Sequence, residues 1–182
     1  MNFEQRIELA IVDLKQADED IRNLLESHKE LLWKPSPDKW SAAQCVEHIV
    51  VSNGRYFPVL DEKLASPVNK HHNQKLYKPT FWGKMIYNAV DPDQMVKRKS
   101  KTQKIFIPQP VVEIPTLIRR FEQSQTQMLE YMHRVLETDA TQKISSPVSR
   151  IIRYSLADTM AILSKHEIRH YRQALNVLKL RA

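Results

Sequence analysis

Apolar side chains recur along four stretches of the chain at steps of three and four residues, the spacing that gathers them on one face of an α-helix. The stretches cover residues 3–32, residues from Ser41 into the sixties, about Val111 to Leu136, and Tyr154 or Ser155 to about Leu180. Amphipathic helices of this length bury their apolar faces against one another. The pattern therefore predicts an all-α fold, a four-helix bundle.

Residue types near the ends of the first two predicted helices indicate where the first one stops and the second one begins. Pro35 and Pro37 follow the first stretch, and proline removes a backbone donor and disfavours helix at the residue before it. Ser41 is followed three residues later by Gln44, the spacing of a capping box, so the second helix should begin directly after Ser41. Residues 138–154 are predicted to form a polar link before the last helix.

A long excursion separates the second and third predicted helices. From Pro67 to Pro110 the helical periodicity is lost, and only a short helix around Trp82 to Val90 is expected. A connection of this length within a compact domain is often functional. Its aromatic residues Phe81, Trp82 and Tyr87 either line a pocket beside the bundle or attach the excursion to the bundle.

Composition agrees with a single helical domain over residues 1–182. The chain has only two glycines, and β-branched residues seldom alternate with polar ones, which disfavours a sheet. No apolar run approaches the roughly 20 residues that a membrane span needs. The first residues lack the apolar core of a secretory signal, so a cytoplasmic location without a membrane anchor is expected. The single cysteine, Cys45, excludes an intramolecular disulfide.

The chain is basic, with a formal net charge of +7. Such a charge attracts polyanions. Much of the excess lies in one short polar stretch from Lys97 to Lys104, and no recognised nucleic-acid-binding motif surrounds it. A solvated basic loop is the favoured interpretation, so a nucleic-acid partner is not expected.

The strongest chemical signal is the run His166-Glu167-Ile168-Arg169-His170. Its histidines lie about 40° apart around a helix, so both imidazoles can bind one metal ion. The run also fits the His-Glu-x-x-His pattern of zinc peptidases, in which the glutamate is the general base. Those peptidases usually take a third ligand from downstream, and the twelve residues after His170 contain no His, Asp or Glu. Any third protein ligand is therefore expected from upstream.

His48, in the second predicted helix, is the best candidate for that third ligand. His28, near the apolar stripe of the first helix, is the reserve. The other histidines are His71 and His72 in the excursion and His133 on the third helix. Surface or solvated roles are expected for these three.

The arrangement of these residues resembles one family. Trp40-Ser41, then His48, then His166-Glu167-x-x-His170-x-x-Gln173 is similar to the DinB and YfiT-like superfamily of metal-dependent proteins. The resemblance extends from the first helix to the last. It implies a four-helix bundle in which one histidine of the second helix and two of the fourth bind a divalent metal in an open site.

Carried over to this sequence, the resemblance makes His48, His166 and His170 the metal ligands. Zinc or nickel is the expected metal, and iron or manganese is also compatible with imidazole ligands. Characterised relatives transfer or isomerise substrates with low-molecular-weight thiols such as bacillithiol or mycothiol, and many relatives have no assigned activity. Members often form dimers, so a homodimer is expected.

Four further residues lie near these positions. Glu167 can reach a metal-bound water as a base, or pair with a neighbouring Arg or Lys. Gln173 lies about 20° from His166 around the helix and is placed to hold a ligand or a water, and Gln44, one turn before His48, is a candidate of the same kind. Cys45 is expected to be a small buried thiol.

Two hypotheses of different classes follow. The leading one is a metal-dependent enzyme, a thiol-dependent S-transferase or a hydrolase, acting on a small-molecule substrate. Three neutral imidazoles leave the metal charge uncompensated, so the metal can activate a water or stabilise a thiolate. The alternative is a noncatalytic, metal-stabilised helical bundle that acts through protein partners. Catalysis requires an exchangeable metal position, whereas a structural site is closed.

Overall fold

Five α-helices, a 3-10 helix (Lys104–Phe106) and one β-hairpin make up the regular structure of the computed structural model, which describes residues 1–27, 29–65, 72–94 and 102–181. The helices are α1 (Phe3–Ser27), α2 (Ala42–Leu64), α3 (Phe81–Val90), α4 (Ile114–Leu136) and α5 (Leu156–Lys179). The strands are β1 (Lys143–Ser146) and β2 (Ser149–Ser155). Because α1, α2, α4 and α5 pack together, the prediction of an all-α four-helix bundle is confirmed. No helix in these ranges has the length and apolarity to cross a membrane.

The direction of the helices explains the long excursion. One apolar cluster joins the N-terminal halves of α1 and α5 to the C-terminal halves of α2 and α4, and a second joins the opposite halves. Helices α2 and α4 therefore run in the same direction. The chain between them must return along a helix of 23 residues, about 35 Å.

A buried polar layer lies between the two apolar clusters. On α2, α4 and α5, a group of six buried polar side chains falls between the residues that enter one cluster and those that enter the other. These side chains are Ser52, Asn53, Ser124, Gln125, Ser164 and Glu167. The centre of the bundle is thus held by hydrogen bonds rather than by apolar packing alone.

Capping boxes start both helices that carry the predicted metal ligands. Ser41 Oγ accepts the Gln44 N–H at 3.1 Å, and Gln44 Oε1 accepts the Ser41 N–H at 3.3 Å, which confirms the predicted start of α2. Ser155 and Asp158 make the same reciprocal pair at the start of α5. Each cap satisfies N–H groups that the helix itself leaves unpaired.

The first helix is shorter than predicted. It ends at Ser27, although the apolar pattern continues to Leu31 and Leu32. Leu31 enters the core from a turn, at 3% exposure, and its carbonyl accepts the Ala43 N–H at 2.9 Å. Apolar spacing alone cannot distinguish this turn from a further helical turn.

The prediction of a polar link over residues 138–154 is wrong in part, because β1 and β2 form an antiparallel hairpin there. The adjacent Ile151 and Ile152 disrupt strict alternation, which hides the strand in the sequence. Ile151 is 84% exposed, whereas Tyr154 is fully buried and its hydroxyl lies 2.7 Å from that of Tyr56. The hairpin therefore closes one end of the bundle and leads directly into α5.

The short helix predicted in the excursion is present as α3. Trp82 and Tyr87 pack against the first apolar cluster, and the Arg6 guanidinium lies 4.9 Å above the Tyr87 ring. Phe81 instead is 74% exposed. Trp82 and Tyr87 thus attach the excursion to the bundle. The following helix, α4, begins at Ile114, slightly later than predicted.

The start of α3 is fixed by Asp158 of α5. The Asp158 carboxylate accepts hydrogen bonds from the Tyr77 hydroxyl at 2.5 Å and from the Thr80 N–H at 3.1 Å. Gly83 lies directly over this carboxylate, and a Cβ at that position would be only 2.3 Å from Asp158 Oδ2. The close approach of α3 to α5 therefore requires glycine.

Gly83→Ala should destabilise the protein, although alanine favours helix. The added methyl group would displace the Asp158 carboxylate from its donors, at a cost of about 1–3 kcal/mol in the free energy of unfolding. Gly54→Ala is the matched control, because nothing lies within 4 Å of a Cβ there, and it should stabilise α2 by about 0.5–1 kcal/mol. Urea unfolding measures both, and equal stabilisation by the two changes would contradict the contact.

Candidate metal centre

Helices α2 and α5 bring three imidazoles together. The ring centroid of His48 lies 4.3 Å from that of His170 and 5.0 Å from that of His166, and the two α5 rings are 4.5 Å apart. One ligand nitrogen from each ring lies within 4.8 Å of the other two. His48 and His170 are almost fully buried. The upstream partner predicted for the α5 pair is therefore beside it in space.

Backbone contact orients the His48 ring. His48 Nδ1 lies 2.5 Å from the Phe106 carbonyl oxygen, which can only accept a hydrogen bond. Nδ1 must therefore carry the proton, and Nε2 presents its lone pair 3.2 Å from His166 Nε2. This is how metal-binding imidazoles are usually oriented, with the second nitrogen donating to a carbonyl or carboxylate.

The donor set fits a divalent metal ion. Two imidazole nitrogens bound to one tetrahedral zinc at about 2.0–2.1 Å are about 3.3 Å apart, close to the separation of the His48 and His166 Nε2 atoms. His166 Nδ1 and His170 Nδ1 are buried and have no hydrogen-bond partner in the described part of the chain. Burying an imidazole with an unpartnered nitrogen is costly, and a metal bound at one nitrogen of each ring would offset part of that cost. His48, His166 and His170 could therefore hold a metal ion.

Burial keeps the three imidazoles neutral. It lowers the pKa of His166 to about 3, with smaller effects from His48 and Arg169. It also lowers the pKa of His170 well below its ordinary value, partly offset by the neighbouring Gln173 amide. The pKa of His48 is lowered by burial, against the effect of the Phe106 carbonyl. Neutral imidazole is the form that binds metal.

Trp40 forms a wall of the cluster. Its ring centroid lies 4.8 Å from that of His48 and 6.2 Å from that of His170. Trp40 immediately precedes the Ser41 cap, so the structure that starts α2 also fixes the position of the indole. An apolar wall excludes water from one side of the imidazoles and strengthens electrostatic interactions there.

The end of the excursion runs along α2 beside the histidines. Gln44 Nε2 donates to the Gln109 carbonyl at 3.0 Å, and Arg55 Nε donates to the Ile105 carbonyl at 3.1 Å. Together with the His48–Phe106 contact, these bonds attach the backbone of residues 105–110 to one face of α2. The role of Phe106 has no signal in the sequence, because its backbone carbonyl makes the contact and residue type does not encode that.

Gln44 and Gln173 are the two residues that the sequence predicts to hold a ligand or a water. The hydrogen bonds of Gln44 are those of the α2 cap and of the 109–110 carbonyls. Gln173 is half-buried beside His170. Direct contact of either amide with a ligand stays a prediction.

Glu167 is completely buried and directed toward α2 and α4. Its Oε1 accepts a hydrogen bond from Asn53 at 2.7 Å, and its Oε2 accepts one from Gln125 at 2.8 Å. Burial raises the pKa of Glu167 to about 7, against the lowering effect of the two amides. The sequence predicts a role as general base or an ion pair with Arg or Lys. The carboxylate is instead paired with amides, and the catalytic role stays a prediction.

The remaining candidates lie away from the cluster or outside the described residues. His72 is a surface residue whose Nδ1 lies 2.7 Å from Asp139 Oδ2, and His133 is exposed on α4. The reserve ligand His28, His71 and most of the basic stretch, including residues 97–101, fall outside the described ranges. Cys45 is fully buried, and burial raises the pKa of its thiol to about 12, as expected for a structural thiol.

Comparison with known families agrees with this geometry. The sequence profile of the DinB superfamily matches residues 13–174, which include all three histidines and most of the chain. The chain belongs to the DinB superfamily. No curated protein and no solved structure matches this chain significantly. The resemblance inferred from Trp40, His48 and the α5 motif is thus confirmed, and a DinB-superfamily chain with three clustered histidines is compatible with metal binding.

The metal-free protein allows a test of His166 burial. The pKa of His166 is about 3 in the folded chain against an ordinary value of 6.5. Between these values the unfolded chain binds a proton that the folded chain excludes, so stability falls as the pH drops below 6.5. The free energy of unfolding of wild type should therefore decrease relative to that of His166→Gln, by at most about 1.4 kcal/mol per pH unit.

Urea unfolding of both proteins with chelator present, at about pH 7.5 and about pH 5, measures this difference. Because Glu167 is retained in both proteins, its own titration largely cancels. A difference that does not change with pH would contradict the burial of a neutral His166.

Proposed function

We propose that this protein is a metal-dependent enzyme whose ligands are His48, His166 and His170. The observation that carries the proposal is the convergence of three neutral imidazoles from two helices, His48 and His170 buried and His166 half-buried, with His48 oriented by the Phe106 carbonyl. Three neutral ligands supply no charge to offset a divalent ion and leave at least one position for water or substrate. Such an ion lowers the pKa of a bound water or stabilises a thiolate.

The reaction we propose is thiol-dependent S-transfer, or hydrolysis, on a small-molecule substrate. The only cysteine of the chain, Cys45, is fully buried and its thiol pKa is raised to about 12, so it is unsuited to supply a thiolate. A thiol nucleophile must then come from a low-molecular-weight cosubstrate. Hydrolysis requires only water at the same position.

The protein groups around the site have separable tasks in this proposal. The three histidines bind the ion, and the Phe106 carbonyl holds the His48 tautomer. Trp40 shields one side from water. Gln173, beside His170, would orient a ligand.

The metals that this site would bind are inferred from the general preferences of imidazole ligands. Imidazole nitrogen suits zinc and nickel well, and it also accepts iron and manganese, so availability decides among them. We place zinc and nickel first. A cytoplasmic homodimer, with no membrane or nucleic-acid partner, completes the proposal.

The alternative is a noncatalytic metal-stabilised bundle that acts through protein partners. Exposed large apolar side chains favour it, notably Phe81 at 74% and Ile151 at 84% exposure. In that case the metal would be held in a closed site, and its removal would mainly lower stability.

Metal content of untagged protein tests the proposal. Wild type should contain about one divalent ion per chain, and His48→Ala and His166→Ala should contain almost none, because two imidazoles bind far more weakly than three. His133→Ala is the control, since His133 is exposed on α4 and should not affect metal content. Elemental analysis after gel filtration gives the stoichiometry.

A wild-type protein that stays empty after incubation with zinc, nickel and manganese would overturn the proposal. So would equal metal content in wild type and His48→Ala. If metal is bound, rapid exchange of its non-protein ligand supports catalysis over the structural alternative.

A further inference from the structure

Both helices that carry the histidine cluster also carry a buried carboxylate next to a histidine. Glu47 precedes His48 on α2, and Glu167 follows His166 on α5. Glu47 is 1% exposed and Glu167 is 0% exposed. A buried carboxylate is costly unless its oxygens are paired, so the partners of these two residues are informative.

The partners of Glu167 come from two other helices. Asn53 of α2 donates to one carboxylate oxygen at 2.7 Å and Gln125 of α4 donates to the other at 2.8 Å. Asn53 also donates to Ser124 of α4 at 3.3 Å. These bonds are the main connection of α5 to its neighbours within the polar layer.

The partner of Glu47 comes from α4 as well. Arg120 Nη1 lies 2.7 Å from one carboxylate oxygen of Glu47 and 2.8 Å from the other. Helix α4 contributes no imidazole to the cluster, yet it holds the carboxylates of both helices that do. Arg120 and Gln125 are the two α4 side chains that make these contacts.

The position of each carboxylate determines the direction of the adjacent imidazole. Neighbouring residues are separated by about 100° around a helix. A contact that fixes one side chain therefore also fixes the rotation of the helix, and with it the direction of the neighbouring side chain. A helix rotation of about 20° moves an atom about 6 Å from the axis by roughly 2 Å. That displacement is as large as a metal–nitrogen bond of about 2.0–2.1 Å. Small rotations of α2 or α5 would therefore separate the three nitrogens.

We propose that Glu47 and Glu167 are positioning residues of the metal centre, which lock α2 and α5 onto α4 so that the three imidazoles converge. This inference rests on the proposed metal-binding function. It gives the glutamate of the His-Glu-x-x-His run a different task from that in zinc peptidases, where it acts on the metal-bound water. Apolar side chains would fill the same volume without a desolvation cost, but they would not fix rotation by directional bonds.

Metal affinity of the folded protein tests this proposal. Glu167→Gln and Glu47→Gln should each lower zinc affinity by about 10- to 100-fold, the usual effect of losing a group that orients a ligand. Zinc affinity is measured on metal-free protein by competition with a chromophoric chelator. Tyr56→Phe is the control: it removes the buried 2.7 Å hydroxyl contact with Tyr154 in the opposite part of the bundle, and it should lower stability without changing affinity.

A milder variant covers the case in which the glutamate variants do not fold. Gln125→Ala removes one of the two amide donors to Glu167 and leaves α2 and α5 intact. It should lower zinc affinity in the wild-type background and have little further effect in Glu167→Gln, because both changes break the same contact.

The outcomes separate this inference from the proposed function. If wild type binds zinc, His166→Ala does not, and both glutamate variants bind as tightly as wild type, the positioning role is overturned and the metal site stands. If wild type itself binds no metal, the proposed function fails, and this inference, which rests on it, fails with it.

Discussion

The packing of three neutral imidazoles against one another, His48 and His170 buried and His166 half-buried, is the constraint on which this structure depends. His48, His166 and His170 lie inside the bundle, and the Nδ1 atoms of the α5 pair have no partner in the described part of the chain. Such groups disfavour folding unless a ligand satisfies them, because desolvation removes their hydrogen bonds to water. A cation bound at one nitrogen of each ring would offset part of this cost and would stabilise the fold as it binds.

The remainder of the fold supports that cluster. Two apolar clusters enclose a polar layer in which Glu167 is paired with amides from α2 and α4. The return of the chain between α2 and α4 brings residues 105–110 along α2, where a carbonyl orients His48. Capping boxes at Ser41 and Ser155 fix where the two ligand-bearing helices begin. The helix caps, which are local in sequence, and the long-range contacts thus position the same few side chains.

The sequence predicts those parts of the site that depend on periodicity. His166 and His170 share a face because they are four residues apart, and the Ser41 cap is set by residues adjacent in the chain. The sequence predicts neither the end of α1 nor the hairpin. The spacing of Leu31 fits a further turn of helix, and the position of Ile151 does not show the alternation of a strand. The Phe106 carbonyl and the Asn53 amide reach the site only through tertiary packing, which residue spacing does not encode.

X-ray absorption spectroscopy of the zinc-loaded protein tests the central claim most directly. The proposed function predicts three imidazole nitrogens at about 2.0–2.1 Å and at least one further light-atom ligand, which sulfur would replace when a small thiol is added. A spectrum with two or fewer imidazoles would contradict convergence of His48 with the α5 pair. A fourth protein ligand that a thiol does not displace would contradict an open site.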